Sequence, residues 1–420
     1  SHRNRERNLA RLMGKSRSPL IIIFITIFID LVGFGIVIPV LPLYARQFGA
    51  SETTIGILVA IYSVMQFIAA PLLGKLSDRV GRRPVLLFSL IGTSLGFLLM
   101  GVANTLALLF IARIIDGITG GNIATAQAYI ADVTSPEERS KGMGLIGAAF
   151  GLGFTIGPVI GGLMSQISPG APFLFAAGLA AANATALFFL LPESLRPEHR
   201  AAARGRSSFF ELLQESENRT FGIAVATYFV ATVAFAALTM TYALFANQRY
   251  GFDALHTGYM FAYLGLLGAV IQGGLLGRLV KMFGDKTLVI TGTVLFAVSM
   301  FLLPLGSSTV ALILASGGIA IGNSLMTPTL NGLASKSMGP AMQGRVLGVM
   351  SSGASLARII GPVLGGWLLS RDAASRDPRY GITPYWVSGS IMLVALALAI
   401  TLPSSQPQRE SDFRPPIEEK

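Results

Sequence analysis

The sequence contains no cysteine, which excludes a disulfide framework, a thiol nucleophile and a thiolate metal site. Histidine is almost as scarce: His2, His199 and His256 are scattered along the chain, so neither a metal cluster nor a cofactor is expected. Charge is also scarce, since 13% of the 420 residues are Asp, Glu, Lys or Arg where a soluble domain carries roughly 25%. Long stretches without any charge therefore recur along nearly the whole length. With 52% hydrophobic residues, this is the pattern of a membrane-spanning chain rather than of a large soluble core. Acidic residues are the rarer sign, and the net charge is +11. The basic residues sit in the connections between apolar runs, where anionic lipid explains them better than nucleic acid does. The first nineteen residues, Ser1 to Pro19, are basic and polar and do not read as a cleavable signal.

A hydrocarbon core of roughly 30 Å takes about 20 helical residues. Twelve spans follow, near Pro19–Tyr44, Thr54–Leu73, Pro84–Ala103, Thr105–Ile130, Lys141–Gln166 and Pro172–Leu191, then near Thr220–Asn247, Thr257–Lys281, Thr287–Leu305, Thr309–Ser335, Gly344–Ser370 and Pro384–Leu402. The expected fold is an all-α polytopic membrane protein of two six-helix halves, 19–191 and 219–403. A basic segment 1–18 precedes them, a linker 192–218 joins them and a polar tail 404–420 follows. With both termini inside, 25 lysines and arginines fall on the cytoplasmic side. Five fall opposite: Arg46, Arg249, Arg371, Arg376 and Arg379. The positive-inside rule then places both termini in the cytoplasm.

The halves repeat one another. Gly74-Lys-Leu-Ser-Asp-Arg-Val-Gly81 returns as Gly277-Arg-Leu-Val-Lys-Met-Phe-Gly284, Gly117-Ile-Thr-Gly-Gly-Asn122 as Gly318-Ile-Ala-Ile-Gly-Asn323, and Gly157-Pro-Val-Ile-Gly-Gly162 as Gly361-Pro-Val-Leu-Gly-Gly366, at offsets of 203, 201 and 204. A nearly constant offset of half the chain is a duplication. Two parallel halves with a site between them suit a secondary transporter that rocks about a midplane site.

Charges inside spans are the functional pointers, because an ionised residue at a helix centre costs roughly 2.5–3.5 kcal/mol on insertion scales and needs a partner, water or a task. Asp30, Arg113, Asp116 and Arg358 all fall near the middle of their spans. Arg113 and Asp116 are spaced i, i+3 and pair on one helix face. Gly120, Ala124 and Gln127 continue that face as a small and polar stripe. Two static salt bridges are the alternative to a functional cluster. Arg358 suits a structural or a substrate-anion role equally. Tyr228, Tyr242, Tyr259 and Tyr263 are candidates for the apolar wall of a cavity, against the simpler reading of lipid-facing or packed aromatics. In the fifth span Gly153, Gly157 and Gly161 recur every four residues, followed by Gly162. This spacing favours close helix packing, and Pro158 is placed to kink the helix. Between the second and third spans, Gly74, Asp78, Arg79, Gly81, Arg82 and Arg83 read as a charged conformational latch rather than a plain turn. Asp78 is expected to engage a helix N-terminus or a neighbouring arginine.

At Gly74-Lys-Leu-Ser-Asp78-Arg79-Val-Gly81-Arg82-Arg83-Pro84 the sequence resembles the signature loop of the major facilitator superfamily. Gly147 to Gly162 resembles the fifth-helix motif of its drug/proton antiporters, and Arg113 to Gly121 their fourth-helix motif, whose arginine is linked to proton coupling. Asp30, Ile38-Pro-Val-Leu-Pro42, Ile167-Ser-Pro169 and Arg249 are similar to positions of the tetracycline/proton antiporters. Two positions depart: Gly268 and Phe296 stand where those exporters carry a histidine and a carboxylate. The resemblance implies no enzyme but a monomeric proton-coupled efflux antiporter in the bacterial inner membrane, its partners being protons, lipid and an amphipathic small molecule. Asp30, Arg113 and Asp116 would couple protons, and with Gln127, Arg358, Tyr228, Tyr242 and Tyr263 they would line the cavity. A symporter or facilitator for one metabolite is the rival on the same fold, and a non-transporting receptor the rival outside it.

Overall fold

The computed structural model of the chain describes residues 17–134, 139–195, 218–338, 342–374 and 380–403. Most of the expected basic N-terminal segment, most of the linker and the tail lie outside these residues. Among the described residues, twelve helices long and apolar enough to cross a membrane follow one another. They are α1 (Arg17–Gln47), α2 (Glu52–Val80), α3 (Arg82–Gly101), α4 (Leu106–Val133), α5 (Arg139–Ser165) and α6 (Ala171–Leu190) in the first half. The second half holds α7 (Arg219–Tyr250), α8 (Ala254–Phe283), α9 (Asp285–Leu305), α10 (Thr309–Lys336), α11 (Gln343–Ala374) and α12 (Ile382–Ile400).

Two helices depart from a plain rod. α4 is interrupted, with segments Leu106–Thr119 and Asn122–Val133 on either side of Gly120 and Gly121. α8 carries a π-helical turn at Ile271–Leu275, around Gly273 and Gly274. A correction also falls on the signature segment. α2 continues past the expected Leu73 end, so Gly74, Asp78 and Arg79 occupy its last turns while Arg82 and Arg83 open α3. Only Gly81 lies between the two helices, and its φ of +117° is one that residues with a Cβ rarely adopt. Span length had marked where the chain leaves hydrocarbon, but a helix needs no apolar residues to continue into the headgroup region.

Within each half the packing is repeated: α1 lies along α5 and α7 along α11, while α3 packs on α6 and α9 on α12. The halves meet chiefly through two equivalent pairs, α2 with α11 and α5 with α8, and α1 also touches α7 and α8. A Cβ placed on Gly56 would run into the Pro362 carbonyl oxygen, and one placed on Gly258 into that of Pro158. These are the same contact made twice about a pseudo-twofold axis, and glycine is what permits backbone-to-backbone approach there.

Such contacts gather at the end away from the α2–α3 junction. There Thr53 donates to Ser370 Oγ at 3.0 Å, Gln166 Nε2 to Asp253 at 3.0 Å, and Arg46 to both Glu52 (2.9 Å) and the Tyr380 hydroxyl (3.1 Å). At the other end the crossing helices part: Gly147 and Gly151 of α5, Gly273 and Gly277 of α8, and Gly348 of α11 have nothing within 4 Å of where a Cβ would stand. The two halves thus form a V, closed at the end holding Arg46 and open at the end holding Asp78.

Candidate transport site

The four midspan charges occupy two kinds of setting. Arg113 and Asp116 are 2% and 4% exposed, and Arg113 Nη1 donates to Asp116 Oδ2 at 2.9 Å, as their i, i+3 spacing dictates. Asp30 on α1 and Arg358 on α11 are half-buried, and among the described residues neither has an oppositely charged group within 4.0 Å. The chain therefore holds one neutralised pair and two separated charges at mid-depth, one charge on each half.

Sequence reasoning missed the residue that ties these together. The Tyr62 ring on α2 lies beneath the Arg113 guanidinium, 4.3 Å from centroid to Cζ, an arrangement favoured by the ring quadrupole. Tyr62 is also within electrostatic reach of Asp30, Asp116 and Arg358. One turn on, Gln66 Nε2 donates to the Tyr62 hydroxyl at 3.2 Å and to the Gly120 carbonyl at 2.7 Å. That second bond answers the break in α4, where a carbonyl at membrane depth needs a partner other than water. Asn122 opens the second segment of α4, and its side chain sits beside Asp30. The double glycine before Asn122 and the i, i+4 pair Tyr62 and Gln66 were the available signals in the sequence.

The expected wall divides. Tyr228 is half-buried and within electrostatic reach of Arg358. Tyr263 is half-buried with its hydroxyl against Gly317. Gln127 is exposed on the second segment of α4. Tyr242 differs: it is 2% exposed, shares a 2.8 Å hydrogen bond with Ser316 Oγ and stands edge-on to Phe261. A phenol inside an apolar bundle takes the nearest hydroxyl, so Tyr242 belongs to the packed interior of the second half. Phe296 is fully buried there as well. An apolar groove of about 560 Å³ between α3 and α6, lined by Leu87, Ile91 and Phe188 among others, lies on the outer surface away from this centre.

At the α2–α3 junction, Arg82 is 8% exposed and pairs with Asp78, with Asp132 at 3.2 Å and with Ser77 Oγ at 2.7 Å. Ser77 in turn donates to the Gly74 carbonyl. Arg83 donates to the Phe188 carbonyl and lies over that ring, whereas Arg79 is exposed. Glu193, just after α6, accepts from the backbone N–H of both Arg82 and Arg83 (2.9 and 3.2 Å) and so caps α3 with negative charge. The second half repeats this pair with the signs exchanged: Asp285 at the start of α9 meets Lys336 at 2.8 Å. In α5, Gly153 meets Leu31, Gly157 meets Val32 and Gly35, and Gly161 meets Ile36, all on α1. Gly162 instead meets α8 at Leu255, and Pro158 lies between the two helices, against Gly35 of α1 and Gly258 of α8. The motif is thus a packing face shared between its own half and the other.

Comparison with known proteins agrees with this architecture. The pattern of the Major Facilitator Superfamily matches residues 23–281 and 273–419. The chain belongs to the Major Facilitator Superfamily. This facilitator is 34% identical to the class D tetracycline resistance protein of Salmonella ordonez, over 92% of the chain and 98% of that protein. It is 37% identical to the class B protein of Escherichia coli, over 80% and 84%. It is 31% identical to multidrug resistance protein 2 of Bacillus subtilis, over 93% and 97%. Among solved structures, the human organic anion transporter MFSD10 (TETRAN) superposes with a TM-score of 0.67 at 26% identity, covering 91% of the chain and 99% of that structure. A bacterial homologue of the lysosomal transporter Spinster shares the fold, with a TM-score of 0.74 at 14% identity over 91% and 95%. The facilitator is a multi-pass membrane transporter and not an enzyme.

Proposed function

We propose that this facilitator is a proton-coupled antiporter that exports amphipathic organic compounds by alternating access, from an inner membrane in which both termini face the cytoplasm. The observation that carries the proposal is the contrast between two carboxylates at one depth. Asp116 is neutralised by Arg113, while Asp30 is half-buried without a cationic partner among the described residues. Only Asp30 is left to take a proton in one facing state and to exchange it for a cationic group in the other. Arg113, Asp116 and Asn122 set its surroundings. Proton and substrate then compete for one negative charge, which couples their fluxes without contact between them. The tetracycline and multidrug resistance relatives support export of drug-like compounds.

The test is substrate flux driven by a pH jump in liposomes, with folding checked by size exclusion. Asp30→Asn is expected to abolish proton-driven flux while keeping a native elution profile. Full flux with an unchanged pH profile would make Asp30 structural. Uptake of substrate together with protons, rather than against them, would favour the symporter reading.

A further inference from the structure

We infer, on the antiporter reading above, that the exported solute carries an anionic group as well as a cationic one, and that Arg358 receives the anion. Arg358 lies at the middle of α11, on the second half, and is half-buried. Of its five N–H donors, one is engaged, with Nη2 donating to Ser355 Oγ at 3.1 Å on its own helix. Its electrostatic neighbours are the phenols of Tyr228 and Tyr62. Among the described residues no carboxylate lies within 4.0 Å of it. The same chain shows how a midspan arginine is silenced: Arg113 has Asp116 three residues on. At the corresponding positions around Arg358 stand Ala354, Ser355, Gly361 and Pro362, none of them acidic. A guanidinium at this depth is costly without a counter-charge, and its planar fork fits a carboxylate or similar oxyanion. The counter-charge therefore arrives with the cargo, through the open end of the V.

Asp30 limits what that cargo is. It belongs to the other half, and Tyr62 is within electrostatic reach of both charges. A solute that is only anionic meets the ionised Asp30 carboxylate, and one that is only cationic leaves Arg358 uncompensated. A zwitterion with its charges at opposite ends answers both. Its cationic group displaces the proton from Asp30 while its anionic group anchors on Arg358. Exchange of one proton for one zwitterion then moves a net charge, whereas exchange for a simple cation moves none.

Two rhodamine dyes on one scaffold test this, one with a free benzoate carboxylate and the other its methyl ester. Binding is followed by fluorescence anisotropy and exchange by pH jump, in phosphatidylcholine vesicles that contain no anionic lipid. Arg358→Gln is expected to weaken binding of the carboxylate dye roughly tenfold or more, as loss of a charged hydrogen bond does. Ester binding should stay within about twofold, below 0.5 kcal/mol on the same scale. Arg358→Lys should recover part of the carboxylate affinity. Equal losses for both dyes make Arg358 structural and overturn the inference, as does unchanged carboxylate binding or a wild type that binds neither dye. A wild type that exchanges the ester but not the carboxylate dye against protons overturns it while leaving antiport intact. If neither dye exchanges against protons although the affinity ratio behaves as stated, the antiport reading fails and the anion site stands.

Discussion

At the scale of single residues, the buried Arg113–Asp116 pair makes a stability prediction that separates structure from coupling. Arg113→Ala leaves Asp116 only 4% exposed and without its counter-ion. Stranding a buried charge in this way costs on the order of 3–5 kcal/mol. Thermal unfolding of the purified variant should show a clear loss. The double variant Arg113→Met with Asp116→Leu should recover most of it, since paired apolar replacement is often neutral or better. Neither variant should restore proton-driven flux. An Arg113→Ala protein as stable as the wild type would mean that the pair is solvated. This pairing was legible in the sequence because i, i+3 spacing on a helix decides it locally. Tyr62 was not legible, because it approaches Arg113 from another helix across some fifty residues of chain.

At the scale of elements, the α2–α3 junction holds its charges within the first half while the adjoining end of the V stands open. Asp78 is engaged by Arg82, and among the described residues by no charged group of the second half. Asp78→Asn should therefore insert and fold normally but slow the cycle, because closing this end needs the charged cluster to rearrange. The measurements are turnover in proteoliposomes and the elution profile on size exclusion. Near-normal turnover would reduce the segment to a connecting turn. A second prediction belongs to the opposite end, where α2 and α11 touch. Thr53 and Ser370 share a 3.0 Å hydrogen bond, and the chain has no cysteine of its own. Thr53→Cys with Ser370→Cys should cross-link on oxidation, lock that end closed and stop transport, and a reductant should restore it. Transport that continues in the cross-linked protein would show that this contact need not open.

At the scale of the whole molecule, closure of that end rests on groups contributed by both halves. Partial burial pushes the Asp253 carboxyl up. The hydrogen bonds from the His256 backbone, the His256 ring and Gln166 outweigh this and hold it below the ordinary carboxylate range. A depressed carboxylate stabilises above its unfolded pKa, and that contribution is lost as pH falls through the folded one. The Gln166–Asp253 contact should thus persist across neutral and mildly acid conditions and weaken only in strong acid. Burial pushes the Tyr380 phenol up to about 12, so it stays protonated and accepts from Arg46 throughout the same range. The duplication extends to the Gly56–Pro362 and Gly258–Pro158 contacts and to the junction ion pairs. At midspan it fails, because Asp30 and the Arg113–Asp116 pair stand in one half and Arg358 in the other. On the inference drawn from Arg358, that asymmetry would let a symmetric scaffold treat the two ends of a zwitterion differently.

The amino-acid sequence determined everything that depends on local spacing. The number of spans, the repeat at half the chain, the midspan charges and the glycine face of α5 all follow from periodicity and composition, and the described residues carry them where spacing requires. Tertiary structure decided which way each helix turns. A helix apolar on every side carries little rotational information, so the burial of Tyr242 in the second half could not be read from its own span. The same holds for Glu193 capping α3, for Arg82 reaching Asp132, and for the Asn122 side chain beside Asp30. These are contacts between segments tens to hundreds of residues apart, fixed by close approach at glycines and by the need to satisfy each polar group where water is absent. Which end of the V is closed is likewise a property of how the halves pack, through the α2–α11 and α5–α8 contacts at the end holding Arg46.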